Sequence, residues 1–376
     1  MKDKIIYLDN ASTTPLDGRV LEKMTPYLTE IYGNANSLHN VGRVAVKGLD
    51  EAREIIADII RADFNEVYFT SGGTESDNWA LRGAFSNRKN KNKIVLSSIE
   101  HSAMLKTCED LELQGASIVK VNPNVNGIVD INKYNKAIDS DTFMACLMYA
   151  NNEIGTIQNV KGLAEICKAK NCLSFTDAVQ AIGAYDINVK DLGVDLLSFS
   201  AHKFGGPKGV GCLYIKNGTN LGSIVTGGHQ ERSKRGGTSN VAGAIGMAYA
   251  LKYNRENLEK NNEYIKGLRE YFIDRVLSEI SVATLNGDRD LRLPNNANIT
   301  FNGVDGEALL YKLDLSGICV SLGAACSAGS VSPSHVLKSI GLSDTDAKSS
   351  IRFTFGLSNT KDDVDFVVET LKKLCK

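Results

Sequence analysis

The chain has 376 residues, 43% hydrophobic and 23% charged, with 43 basic against 44 acidic side chains for a net charge of −1. That composition excludes a disordered or collagen-like chain and a polybasic nucleic-acid binder. At this length folding removes roughly three quarters of the unfolded chain's surface from water, enough for a large core spread over about two or three domains.

Eight cysteines, from Cys108 to Cys375, show no paired spacing, and Met1-Lys2-Asp3-Lys4 runs into Ile5-Ile6-Tyr7 without a basic, apolar, small-residue leader. A reducing cytoplasm is the expected compartment. No apolar run approaches the roughly 20 residues of a membrane helix; the longest, 142–150, has the length of a buried strand.

In chain order, 41–60 is the first clear element, a predicted helix with Val41, Val44, Ala45, Leu49, Ala52, Ile55, Ile56 and Ile59 at three-and-four spacing. A predicted strand at 67–70 leads into Ser71-Gly72-Gly73-Thr74-Glu75-Ser76-Asp77-Asn78-Trp79. Small residues and hydroxyls at the start of a helix suit either an anion site or a capping box. The spacing matches neither a Walker A loop nor the dinucleotide G-x-G-x-x-G. Strand 94–97 exits into Glu100-His101, where the histidine is either structural or a stacking and proton-relaying group.

Strands at 117–121 and 143–149 follow, the second leading to Asn151-Asn152-Glu153-Ile154-Gly155, where Asn152 either makes a turn or bonds a ligand oxygen. A crossover helix is expected at 162–170. Strand 173–176 delivers Asp177, either a helix cap or the partner of a pyridinium nitrogen. Strand 196–200 ends in Ser200-Ala201-His202-Lys203, followed by a glycine-rich tail. A lysine just past a buried strand's end sits where α/β proteins bind ligands, so Lys203 is either a solvated loop residue or a Schiff-base lysine. After strand 211–215, a charged helical texture from about Asn254 suggests a second domain, with strands at 298–301 and 318–321 and a closing amphipathic helix at 362–374. Alternation of apolar strands with helices marks an α/β fold, and strands apolar on both faces fit a covered, mostly parallel sheet.

These motifs together resemble the class V aminotransferase-fold family and, within it, the bacterial-type cysteine desulfurases. The resemblance is carried by Tyr7-Leu8-Asp9-Asn10-Ala11-Ser12-Thr13-Thr14-Pro15, the 71–78 loop, Glu100-His101, 151–155, 177–180, 200–203, Gln230-Glu231 with Arg235-Gly236-Gly237-Thr238, and Ser350-Ile351-Arg352-Phe353, all in family order. It implies a PLP-dependent transferase fold of the aspartate aminotransferase type. A large PLP-binding domain would span 15–253 with a seven-stranded sheet. A smaller α+β domain, 1–14 with 254–376, would carry a mobile loop around Cys326.

The resemblance implies roles position by position. Lys203 would hold pyridoxal 5'-phosphate (PLP), with Asp177 on the pyridine nitrogen, Gln180 on the phenolic oxygen and His101 stacked on the ring. Gly73, Thr74, Ser200 and His202 would bind the phosphate, joined by Thr238 from the other subunit of a homodimer. Asn152 and Arg352 would hold the carboxylate of L-cysteine. Cys326 would attack the substrate sulfur, become a persulfide and release alanine, with His101 taking its proton. No metal is implied.

Cys326 sits in a run of small residues, 322–331, with little to anchor it, whereas Cys146 and Cys212 lie in strand runs, Cys167 and Cys375 in helical ones, and Cys319 in an apolar stretch. An unperturbed thiol, with a pKa of about 8.5, is only a few per cent thiolate at neutral pH, so the site must lower that pKa or lend a base. The sequence departs from the family pattern at Asn34-Ala35-Asn36-Ser37-Leu38-His39, which lacks a usual proline, and at His229 and Ser233, which replace glycines. It also ends at Lys376, directly after the last predicted helix. The expected acceptor is therefore an iron–sulfur scaffold or a tRNA thiolase, with no direct nucleic-acid or membrane contact. The competing expectations are a selenocysteine lyase on the same fold and a non-catalytic sulfur relay.

Overall fold

A computed structural model describes residues 5–322 and 333–375; Cys326 lies outside the described residues. The strands are β1 (Ile6–Tyr7), β2 (Val67–Thr70), β3 (Lys93–Ser97), β4 (Ser117–Val121), β5 (Thr142–Cys146), β6 (Leu173–Asp177), β7 (Leu196–Ser200), β8 (Gly211–Ile215), β9 (Ala283–Asn286), β10 (Asn296–Phe301), β11 (Ile318–Cys319) and β12 (Ser350–Thr354).

Seven of them form one sheet in the order β2-β8-β7-β6-β5-β3-β4, with β8 antiparallel to both neighbours and every other pair parallel. Since β8 reverses twice, β2 runs the same way as the parallel strands. The exits of β2, β3, β5, β6 and β7 therefore share one edge of the sheet, the place where open α/β sheets form ligand crevices. β2, β5, β7 and β8 are buried along their whole length, as expected for strands covered on both faces.

The helix Asn40–Ile60 packs Ala45, Leu49, Ala52, Ile56 and Ile60 inward. Val41 and Val44, expected on the same stripe, are exposed, and Gly42 and Ala45 are the residues buried on that turn. The strand expected at 143–149 ends at Cys146, although Leu147 and Tyr149 still donate to Phe175 and Asp177 across the sheet edge. Asn254, where the sequence texture changes, lies near the C-terminal end of the helix Val241–Glu256, and the chain breaks at Asn257 before the helix Leu258–Glu279.

A three-stranded antiparallel sheet, β12-β10-β9, and the short parallel pair β1-β11 stand beside the large sheet. Their core joins Ile6 and Leu8 to Phe272, Phe301, Phe353 and Phe355 and to Val364, Val367, Val368 and Leu371 of the closing helix Lys361–Leu374. The N-terminal segment thus leaves this second core and crosses to the large sheet's edge, where Thr14 bonds the backbone of His202.

One buried ion pair fixes a strained turn on the large sheet. Glu231, Arg232 and Ser233 take φ values of 43°, 56° and 63°, a left-handed run that is costly for residues with a Cβ. Arg53, on the helix Asn40–Ile60, donates to both oxygens of Glu231 at 2.8 and 2.9 Å, and Phe69 N–H adds a third bond at 3.0 Å. Both side chains are at most 5% exposed. Replacing one partner leaves the other charge buried and unpaired, so Arg53→Ala is expected to lower unfolding free energy by roughly 3–5 kcal/mol. Urea unfolding measures this; a loss below about 1 kcal/mol, typical of an exposed pair, would contradict the assignment.

Candidate active site

The strand exits converge on a cavity of about 280 Å³ lined by Ala11, Ser12, Gly73, Thr74, Asp77, His101, Asn152, Asp177, Gln180, Ser200, His202, Lys203, His335 and Arg352 among others. Ten of the twelve residues expected at the site are thus brought together. Of the other two, Cys326 is outside the described residues, and Thr238 lines a separate cavity of about 140 Å³ with Ser71, Glu231 and Arg235.

Lys203 follows β7 in a short 3₁₀ turn, and its Nζ donates to the carbonyls of Ala11 and Ser12 at 2.6 and 2.8 Å. Gln180 Nε2 donates to the same Ala11 carbonyl at 2.9 Å. This segment carried part of the family resemblance but had no role assigned; its part in the site comes from backbone carbonyls, which no side-chain motif reveals.

Asp177 ends β6 and is buried, its Oδ1 accepting from Val179 N–H at 2.8 Å. Burial pushes its carboxyl upward, with His101, the Val179 N–H and Lys203 opposing. A positive group placed beside it would stabilise the carboxylate. Asp77, His101 and Asp177 offer ligand atoms within 4.8 Å of one another.

His101 caps the helix Ser102–Leu113, its Nδ1 accepting from Ala103 N–H at 3.2 Å. Burial lowers its pKa, so the ring is neutral with its proton on Nε2. Nε2–H can donate a hydrogen bond into the cavity, and a proton taken by the ring goes to Nδ1 in place of the Ala103 bond. His202, whose Nδ1 lies 3.2 Å from Thr13 Oγ1, is pushed down to about 4 by burial and by Lys203 and Lys208, which leaves a neutral hydrogen-bonding ring at neutral pH.

The helix Gly73–Ser86 has no side-chain cap at its N-cap Gly72, and Gly73, Thr74, Ser200 and His202 border one shallow cleft there with Lys208. Free N–H groups at a helix N-terminus favour an anion. A Cβ at Gly73 would stand 2.8 Å from Val179 Cγ2, so only glycine lets the helix start this close to β6.

Arg352 on β12 enters from the other side. Its Nη1 donates to Asn152 O at 2.9 Å, and its Nη2 to Asp9 Oδ1 and Ser12 Oγ at 2.8 and 2.7 Å. Its Nε is buried without a partner among the described residues. A buried guanidinium edge with a vacant donor on a cavity wall suits a small carboxylate. Glu153, His335 and Asp77 also line the cavity and escaped the sequence reading, because their neighbours are distant in sequence: Ser334 donates to Glu153 Oε2, and His335 Nε2 to Glu100 O.

The family model of the class-V aminotransferases matches residues 6–367. A protein named cysteine desulfurase IscS from Clostridium botulinum (strain Hall) is 45% identical over 377 aligned positions, covering all of this chain and 95% of its own. Another of the same name from Dictyoglomus turgidum is 47% identical over 370 positions, covering 98% of this chain and 94% of its own. Among solved structures, a NifS-like protein superposes with a TM-score of 0.92 at 36% identity, covering 98% and 99% of the two chains. SspA in complex with cysteine superposes with a TM-score of 0.84 at 31% identity, covering 94% of this chain and all of that one.

Glu100, behind His101, yields a pH test. Its Oε1 accepts from Ser97 Oγ and Met148 N–H, while Oε2 is buried without a partner among the described residues. Burial pushes its pKa up from 4.5 to about 7. The folded state therefore binds a proton that the unfolded state has released between those values, and stability falls as pH rises from about 4.5 to about 7. Glu100→Gln, always neutral, should gain urea stability relative to wild type at pH 8 but not at pH 4.5; a difference constant across that range would contradict the assignment.

Proposed function

The chain belongs to the class-V aminotransferase family, within which it is a PLP-dependent cysteine desulfurase, and from that premise we propose how its own residues divide the work. The carrying observation is that Lys203, Asp177, His101 and Arg352, delivered by four separate strands, line one cavity beside an uncapped helix N-terminus.

PLP bound at Lys203 supplies a covalent handle for an amino group and an electron-poor ring. The residues present fit it. Asp177 would face the ring nitrogen, His101 would cover the ring, and Gln180 Nε2 would exchange the Ala11 carbonyl for the phenolic oxygen. The uncapped helix start at Gly73 and Thr74, with Ser200 and His202, would take the phosphate. Thr238, which borders a different cavity in its own chain, would complete that phosphate site in the partner subunit of a homodimer.

Arg352, with its vacant Nε, and Asn152 orient L-cysteine by its carboxylate. Lys203 Nζ takes the α-proton and returns it on the far side of the reaction, the Ala11 and Ser12 carbonyls holding the amine in reach. Cys326 Sγ, as thiolate, attacks the substrate sulfur. A sulfur–sulfur bond forms, the substrate carbon–sulfur bond breaks, and alanine leaves after protonation of its β-carbon. The proton given up by the Cys326 thiol is the one the β-carbon receives, and His101 relays it, so the step leaves no net proton on the ring. The persulfide sulfur then passes to an acceptor protein of iron–sulfur assembly or tRNA thiolation.

Lys203→Ala should abolish the visible cofactor band and lower alanine release by more than about a thousandfold, since one amine is both handle and base. Retention of both would refute the reading. Arg352→Lys should raise KM for cysteine by about tenfold or more with a smaller change in kcat, because an ammonium cannot reproduce the fork; an unchanged KM would show that the carboxylate binds elsewhere.

A further inference from the structure

The wall of the cavity holds a second buried carboxyl that the scheme above leaves without a task. Asp77, in the helix Gly73–Ser86, is 1% exposed. Its Oδ1 accepts from Ser198 Oγ at 2.6 Å, and it stands with Asp177 and His101 in a group whose ligand atoms lie within 4.8 Å of one another. We propose that Asp77 is a positioning residue for Asp177: a second carboxyl behind the first that fixes how firmly Asp177 holds a positive ring nitrogen. The proposal rests on the reading that Asp177 faces that nitrogen.

Two carboxyls this close in a dry wall cannot both be ionised, and their surroundings decide which keeps the proton. Asp177 has the Val179 N–H, His101 and Lys203 to favour its charge. Asp77 has the Ser198 hydroxyl alone, with Asp177 and Glu100 as its charged neighbours and both opposing ionisation. The groups that face the pair are Glu100 and His101 after β3, Cys146 on β5, Ser198 on β7 and Lys203 beyond it. Asp77 is therefore the neutral member. As an acid it keeps the single negative charge of the pair on Asp177 and occupies space that water would otherwise take, where water would screen Asp177 from the ring.

The placement also explains why a carboxyl sits at this point of the helix. Asp77 lies one turn after Gly73, so the helix that offers its N-terminus to the phosphate also braces the residue facing the opposite end of the ring.

The test loads purified apoprotein with PLP and records its dissociation constant and the pH midpoint of the visible absorption band, for wild type, Asp77→Ala, Asp77→Asn and Asp177→Asn, alongside the melting temperature of each apoprotein. Asp77→Ala should weaken PLP binding by about tenfold, because water admitted beside Asp177 would screen its charge from the ring, and move the band's midpoint. Asp77→Asn, neutral and of the same shape, should restore both to within about twofold of wild type by the same measure. If Asp77→Ala lowers only the melting temperature and leaves both cofactor readouts unchanged, Asp77 is structural and the proposal is wrong. Asparagine as damaging as alanine would also overturn it, since a neutral side chain would then not suffice. A wild-type spectrum and affinity in Asp177→Asn would instead overturn the placement of Asp177 on the ring nitrogen.

Discussion

The site depends on a single buried guanidinium. Arg352 belongs to the small antiparallel sheet, yet its donors go to Asn152 beyond β5 and to Asp9 and Ser12 of the N-terminal segment. Those three bonds join the two cores at the cavity wall. A charge 2% exposed at its side chain is tolerable only when its donors are satisfied. Asp9 supplies the counter-charge, and the backbone carbonyl of Asn152 fixes the angle of approach. Among the described residues the Arg352 Nε is buried without a partner, and the side chain itself lines the cavity.

Much follows from that junction. By holding Asp9 and Ser12, Arg352 sets where the Ala11 and Ser12 carbonyls lie, and these carbonyls receive the amine of Lys203. The two ends of the chain and the exit of β7 are thereby referred to one another. The large sheet contributes the rest by topology: with β8 reversed between β2 and β7, the glycine-led helix start, His101, Asp177 and Lys203 all emerge on the same edge. The small sheet adds the guanidinium that none of those exits carries.

What the sequence made legible was the delivery of chemistry by strands. Most strands of the large sheet are short, apolar and followed by a loop or turn, so the exits could be read and the residues on them named. What it concealed were contributions that need the third dimension. Asp77 sits inside a helix and looks like any polar helical residue. Glu153 gains its meaning from Ser334, far along the chain. The Ala11 and Ser12 carbonyls carry no side-chain signature at all. Val41 and Val44 were placed inside because periodicity reports a face of a helix and not how far along its length that face is covered. His101 also caps the next helix through its Nδ1, a local bond that only the backbone geometry discloses.

The thiols close the account. Cys108, Cys146, Cys167, Cys172 and Cys212 are buried and Cys319 and Cys375 partly so. Burial holds Cys108 and Cys212 at about 12 and Cys375 at about 11, far from the thiolate that attack on sulfur requires. Cys172 is lowered instead, by a hydrogen bond with Cys167, but it precedes β6 at the sheet edge opposite the cavity. The proposal therefore places the reacting thiol on Cys326, which lies outside the described residues. The decisive measurement is mass spectrometry of the cysteine-bearing peptides after the holoenzyme has been treated with L-cysteine and its thiols alkylated. The account predicts one added sulfur on the Cys326 peptide and none on the others; an added sulfur on Cys172, or on any of the remaining six in place of Cys326, would contradict it.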